Sequence, residues 1–364
     1  MKISNLFLYL IVIILSSNIL LAQENETEAS VLAVEGVELI NSGEYIKAIE
    51  LFDKAMLLDP TKIEYPYEKA IALYRKHDFK DAAYLLDSLT KVENTIPAVF
   101  RFLGNCYDYM SDTLNAVATY DAGIKKFPLD GSLYFEYGTY EYGQKHNLTA
   151  LGYWQAGIYA EPNYPYNYFS LSQYNVKTRE LLWASLYAEV FMNLSNNVQR
   201  IESMSQGLAN IYDLGLFKNK ADNDLVKFTK IIIKTSKPEL YDYPFELDFQ
   251  HTMQKAKELV VADSVNAVSI KLLIDVRAKF IELWYAKHFD QKYPNFIFDM
   301  QKQLIAYDLF AAYNYWLFKI TDEEGFKDWY STNAATFDRF IDFMEKNKIV
   351  FDDKNRIHRS MYSK

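Results

Sequence analysis

The stretch from Val99 to Pro162, VFRFLGNCYDYMSDTLNAVATYDAGIKKFPLDGSLYFEYGTYEYGQKHNLTALGYWQAGIYAEP, holds one pattern twice. The first copy runs Phe100, Leu103, Gly104, Tyr107, Ala116, Tyr120, Gly123, Pro128. The second runs Tyr134, Tyr137, Gly138, Glu141, Ala150, Trp154, Gly157, Pro162, each 34 residues after its counterpart. The same period reaches outward in both directions. An alanine series runs Ala48, Ala82, Ala116, Ala150, Ala184, and a small-residue series runs Gly36, Ala70, Gly104, Gly138, Ser172. A bulky series runs Phe52, Leu86, Tyr120, Trp154 and weakens at Ala188, and a terminating series runs Pro60, Asn94, Pro128, Pro162, Asn196. Such a period describes a supersecondary unit that cannot bury its apolar face alone and is stable only when stacked on copies of itself.

The spacing predicts two antiparallel helices per unit. Small residues at the crossing let the two backbones approach, the aromatic series fills the space between units, and proline or asparagine ends the second helix. This pattern resembles the tetratricopeptide repeat (TPR) family over Ala29–Val198, five units in one register. The resemblance implies an all-α, TPR-type helical-hairpin solenoid, a right-handed superhelix with a concave groove, at residues 30–198. Departures are local: Leu89 and Phe191 replace small residues, and Thr113 and Asn147 replace aromatics at the inter-helix turn.

Beyond Val198 the register slips. Ile201, Met204, Leu208, Ile211 and Tyr212 trace a helical stripe, Gly215–Ala221 reads as a turn, and Asp222 as the cap of a helix Leu225–Lys234. Residues 199–236 therefore read as a degenerate sixth pair. The prolines in Ser236–Pro244 mark a domain boundary. A C-terminal antiparallel helical region at 239–350 follows, with helices near Phe245–Ala262, Asn266–Phe289, Asn295–Ile320 and Glu323–Lys346. Thr321-Asp322-Glu323-Glu324 reads as a capping box. Leu304–Phe318 is apolar, but too short to span a membrane and interrupted by Asp308 and Asn314, so it reads as a core helix. The basic tail 351–364 carries Lys354, Arg356, Arg359 and Lys364. It reads as a solvated, frayed end, with docking on an acidic surface, this chain's own or a partner's, as the alternative.

Composition limits the function classes. Half of the 364 residues are hydrophobic, 16% are aromatic, and the net charge is −9. It becomes one unit more negative if Lys2 leaves with a leader. An acidic chain without a long basic run argues against nucleic acid as partner. Cys106 is the only cysteine, so intramolecular disulfides, thiolate zinc sites and iron–sulfur clusters are excluded, and its place among apolar positions predicts a buried, inert thiol. Met1–Ala22 reads as a signal peptide: Lys2, the apolar run Leu6–Leu15, the polar break Ser16-Ser17-Asn18, and Ala22. An uncleaved N-terminal anchor is the alternative; after signal removal no integral membrane span is expected. Residues 23–29 read as an acidic linker.

No phosphate-cradling loop, HExxH or nucleophile elbow is present, and no catalytic residue, metal site or cofactor is predicted. The sequons at Asn147 and Asn193 matter only in a glycosylating host. The resemblance implies that the inner face of each unit's first helix lines the groove. Counting along those helices gives Tyr67, Arg101, Phe135 and Phe169 in one row, Ile71, Asn105, Thr139 and Gln173 in a second, and Tyr74, Asp108, Tyr142 and Val176 in a third. The partner-binding set is Tyr67, Ile71, Tyr74, Arg101, Asn105, Phe135, Tyr142, Phe169 and Gln173. Each engaged aromatic would contribute about 1.5–3 kcal/mol through buried area. The groove does not match the family's carboxylate-clamp subclass, because Arg75, Arg101 and Lys177 are few and spread. The aromatics are alternatively covered by the chain's own later helices or packed between units.

The expectation is an exported, non-enzymatic scaffold or adaptor that binds a protein or peptide in the bacterial cell envelope. A glycan-binding repeat protein is the first alternative. An enzyme in Glu239–Lys364, built near His288, Glu282 and Tyr285, is the second.

Overall fold

The computed structural model describes residues 25–218, 226–231, 244–262, 265 and 267–362. The stretch Met1–Ala22, read as a signal peptide, lies outside them. Every regular element among the described residues is helical, and the chain divides into two compact units, Met1–Tyr140 and Glu141–Lys364. The Ser236–Pro244 break falls inside the second of these, and all of it but Pro244 lies outside the described residues.

The first unit contains α1 (residues 25–42), α2 (Tyr45–Leu58), α3 (Glu64–Arg75), α4 (Phe79–Thr90), α5 (Pro97–Tyr109), α6 (Thr113–Lys126) and the start of α7 (Gly131–Gly143). Helix α1 begins inside the stretch read as a linker, which corrects that reading. Ala29 is fully buried against Ala55 and Tyr65, and Glu26 pairs with Lys62, so these residues are anchored despite their polar composition.

Each hairpin turns on one residue in the left-handed region, and these residues recur every 34 positions. Gly43, His77 and Ser111 lie in the first unit, Lys145 and Arg179 in the second. The hydrogen bonds repeat with them. The N–H of His77 donates to the Tyr74 carbonyl and that of Asp78 to Leu73; Ser111 donates to Asp108 and Asp112 to Tyr107. This closure satisfies the carbonyls left over at a helix end. Glycine is the usual residue there, yet only the first turn has one.

At the helix crossing, Gly36 and Gly104 of the small-residue series lie beneath Phe52 and Tyr120 of the bulky series. A Cβ on Gly104 would lie 2.5 Å from the Tyr120 ring, and one on Gly36 would lie 2.7 Å from Phe52. All five alanines of the series are fully buried. Tyr120 continues onto Tyr137, ring centres 5.1 Å apart, so one ring closes its own hairpin and meets the next.

The second unit holds α8 (Asn147–Ala160), α9 (Pro165–Thr178), α10 (Leu181–Leu194), α11 (Val198–Leu216), α12 (Phe245–Val260), α13 (Ile270–Ala286), α14 (Phe289–Lys292), α15 (Phe296–Ala306), α16 (Phe310–Phe318) and α17 (Glu323–Lys346). Tyr168 donates to the Pro162 carbonyl as Tyr134 does to that of Pro128 in the first unit, again at the 34-residue interval.

Three readings are corrected here. Residues 226–231 are not helical. They form a strap whose backbone N–H groups are taken by Gln254 and Gln250, and whose Phe228 carbonyl accepts from Leu182 at the open start of α10. The Phe228 ring occupies the space that a Cβ on Gly215 would need. The helix read as Asn295–Ile320 is two, α15 and α16. Asp308 stands between them in the left-handed region, with Leu309 N–H bonded to Leu304. The cap of α17 is Asp322, which accepts from Gly325 N–H, while Thr321 bonds back to Phe318, so no reciprocal glutamate box forms.

The core of this unit surrounds a buried polar group. Arg277 pairs with Glu189 and donates to Asn314; Gln301 and Tyr313 donate to the second Glu189 oxygen, each at 2.9 Å. Arg277 is 1% exposed and Glu189 2%. A charge pair this deep is tolerated only when its remaining lone pairs and protons are satisfied, which these amides and the phenol largely accomplish.

The C-terminal tail is docked, not frayed. Phe351, Ile357, His358 and Tyr362 are buried. Tyr362 stacks on Phe245 at 4.3 Å. Asn163 exchanges two hydrogen bonds of 2.8 Å with the Phe351 backbone. Arg359 donates to Glu246, and Arg356 lies 4.3 Å over the Tyr159 ring. The tail's charge thus meets this chain's own acids, and its aromatics supply the apolar area that a purely basic reading overlooks.

Candidate functional site

In the first unit, the predicted residues lie on the first helices of successive hairpins. Tyr67, Ile71 and Tyr74 stand on α3, Arg101 and Asn105 on α5, Phe135 on α7. Ile71 is buried; the other five are partly accessible. Tyr74 is the hub of an edge-to-face set, with ring centres 5.2 Å from Phe102, 5.6 Å from Phe79 and 5.8 Å from Tyr109. Phe79 and Tyr109 stack at 4.5 Å, and Tyr109 is 61% exposed. Tyr67 meets Phe102 at 6.3 Å, and the Arg101 guanidinium sits 5.0 Å from that ring centre. Burial raises the pKa of both the Tyr67 and Tyr74 hydroxyls, so these phenols stay neutral.

Asn105 is committed to the fold. Its carbonyl accepts from the Tyr120 hydroxyl, and its amide donates to Glu136 at 3.4 Å. Cys106 is fully buried, and burial pushes its thiol up to about 12. It is therefore a packing residue, as its setting among apolar positions predicts. Sequence reasoning missed Phe79, Phe102 and Tyr109. The signal was present, because Phe102 and Tyr109 directly follow Arg101 and Asp108, and a helix face is wider than one row.

In the second unit, Tyr142, Phe169 and Gln173 have different surroundings. Lys177 donates to the Tyr142 hydroxyl at 2.6 Å and lies 4.9 Å over its ring. Phe169 packs on Phe191 at 5.0 Å and is capped by Arg200 of α11, 5.2 Å away. Arg200 also covers Tyr166 at 4.6 Å. The ring read as a contact for a partner is thus already engaged by the next helix. Gln173 is exposed.

Of the residues grouped around His288, Glu282 and Tyr285 line one cleft and His288 is not part of its lining. His288 is an exposed left-handed residue beyond α13, Glu282 pairs with Lys279, and Tyr285 donates to Asp299. His77 and His146 occupy adjacent positions of equivalent turns, and His146 contacts Glu141 at 2.7 Å. Asn193 of the second sequon bonds to the Glu189 carbonyl and the Tyr313 hydroxyl, so it is not available for a glycan.

The second unit carries open clefts among its described residues. One of about 680 Å³ is lined by Asp275, Lys279, Glu282, Tyr285 and Lys302. Another of about 660 Å³ lies between the end of α10 and α17, lined by Met192, Leu194, Trp316, Ile341 and Met344. Among the described residues no group of three or more His, Cys, Asp or Glu could hold a metal ion. No helix of the described residues is long and apolar enough to cross a membrane.

No family profile matches the sequence, and no curated protein matches it. Solved structures do. A thermophilic TPR protein of Thermus thermophilus is 14% identical, with 50% of this chain and 98% of that one aligned and a TM-score of 0.42. PilF of Pseudomonas aeruginosa is 15% identical over 52% of this chain and 86% of its own, TM-score 0.42. YrrB, described as a TPR protein with an unusual peptide-binding site, is 15% identical over 50% and 94%, TM-score 0.33. In this chain itself, the 34-residue series, the paired helices and the left-handed turns that recur at the same interval make residues 29–198 a TPR-type array of helical hairpins.

Proposed function

We propose that this protein is an exported, non-enzymatic TPR scaffold that holds a protein or peptide partner in the bacterial cell envelope. One observation carries the reading. The repeat array of the first unit leaves a connected set of aromatic rings, Tyr67, Phe102, Tyr74 and Tyr109, partly accessible on successive first helices. Such rings offer large apolar area and, in the tyrosines, a polar tip, the combination enriched at protein interfaces. Export rests on the leader-like Met1–Ala22.

Crosslinking in intact cells, followed by mass spectrometry of whatever is attached, tests both parts. The expected result is a crosslinked partner in the envelope fraction, lost from the Tyr67→Ala/Phe135→Ala chain without loss of helicity. Unchanged partner recovery from that variant would overturn the binding surface. A full-length chain still carrying Met1–Ala22 in the cytosol would overturn export.

A further inference from the structure

We propose that the peptide held by the first unit presents a lysine or arginine side chain, whose cationic head lies between Asp108 and Glu136 beside the Tyr74 ring. This rests on the peptide-binding reading above and adds the chemistry that the site selects.

Four groups from three helices converge on the Tyr120 hydroxyl. The carboxylates of Glu136 and Asp108 and the hydroxyls of Tyr74 and Tyr140 all lie within electrostatic reach of it. Asn105 ties the arrangement together, accepting from Tyr120 and donating to Glu136. The Asp108 carboxyl is pushed up by burial as its only resolved cause. A desolvated carboxylate without a balancing charge gains most from a cation brought to it. The neighbouring Arg101 does not supply that charge here, since its guanidinium lies over Phe102 and beside the Tyr67 hydroxyl.

A second observation points to a ligand. Tyr140 is 5% exposed, and its hydroxyl has no hydrogen-bond partner. It sits one helical turn beyond Glu136 on α7, with its ring 5.7 Å from that of Tyr120. An unsatisfied buried hydroxyl costs about 1–3 kcal/mol, and a donor arriving with the ligand removes that cost. An ammonium carries three donors and no acceptor, and a guanidinium carries five. Two carboxylates and a phenol oxygen form a matching acceptor set, and the Tyr74 ring adds a face for cation–π contact. An acidic ligand would face repulsion from both carboxylates, so the selectivity runs opposite to that of a groove that clamps a carboxylate.

The test uses the whole chain and pools of short randomised peptides, each with one central residue fixed as Lys, Arg, Glu or Leu, read by fluorescence polarisation. The Lys or Arg pool should bind at least about tenfold more tightly than the Glu and Leu pools, as one charge-assisted hydrogen bond supplies. Asp108→Asn with Glu136→Gln should erase that preference and leave the Leu pool unchanged. Tyr140→Phe, which keeps the ring, should weaken the basic pools alone, and it reads the site independently if the double variant does not fold. Equal binding of all pools, or a basic preference that survives both sets of variants, would overturn the cation site and leave the peptide-binding reading intact. Binding of no pool would overturn both.

Discussion

His358 accepts from the Ser360 backbone N–H through Nδ1, with the Tyr159 and Ser360 hydroxyls beside the same nitrogen. The proton of the neutral ring is therefore on Nε2, which is buried without a partner. Burial, with a smaller contribution from Arg356, lowers its pKa from 6.5 to about 4. The undocked tail binds a proton near the ordinary histidine value and the docked tail does not. Docking is therefore strongest above pH 6.5 and weakens as the pH falls towards 4, by roughly 2–3 kcal/mol. Limited proteolysis at the C-terminus across this range checks it; His358→Gln should flatten the profile. Arg277 is the other residue on which much depends. Arg277→Met leaves Glu189 charged and buried, and should cost about 3–5 kcal/mol, measured as a shift in the urea unfolding midpoint.

At the scale of elements, the recurring left-handed turn is the testable feature. Ser111, Lys145 and Arg179 adopt a conformation that an L-residue reaches only at a cost. Ser111→Gly should stabilise the chain by about 0.5–1 kcal/mol, less what the glycine gains in the unfolded state, and thermal melts will show it. Gly104→Ala should act oppositely, because its Cβ would meet the Tyr120 ring. These positions also explain what was legible in the sequence. The alanine, small and bulky series lie within one hairpin or between neighbours, so their spacing survives in the linear chain. The strap at 226–231 was read as a helix because its partners, Gln250 and Gln254, lie beyond the next break. The α15–α16 break was missed because Asp308 looks like one polar residue in an apolar run. At the candidate site, the ring rows were legible but the Arg200 cap was not, since it comes from the helix where the period slips.

At the scale of the whole molecule, the described residues of the second unit are closed by the segment 351–362. Trp183 and Phe245 are fully buried, and Tyr362 lies against both, at 5.7 and 4.3 Å. A chain ending at residue 350 uncovers these rings. It should unfold at lower urea and bind a hydrophobic dye that the intact protein excludes, whereas a dye-negative, equally stable truncation would show the tail to be dispensable.

The docked terminus also sets an order of events during synthesis. Phe351, Ile357 and Tyr362 leave the ribosome after α8–α12, and those helices cannot seal their apolar seams until these three residues have emerged. Until then those seams are open to chaperones and to neighbouring nascent chains. For the same reason, a bulky insertion within residues 351–362 would burden the segment that closes these helices.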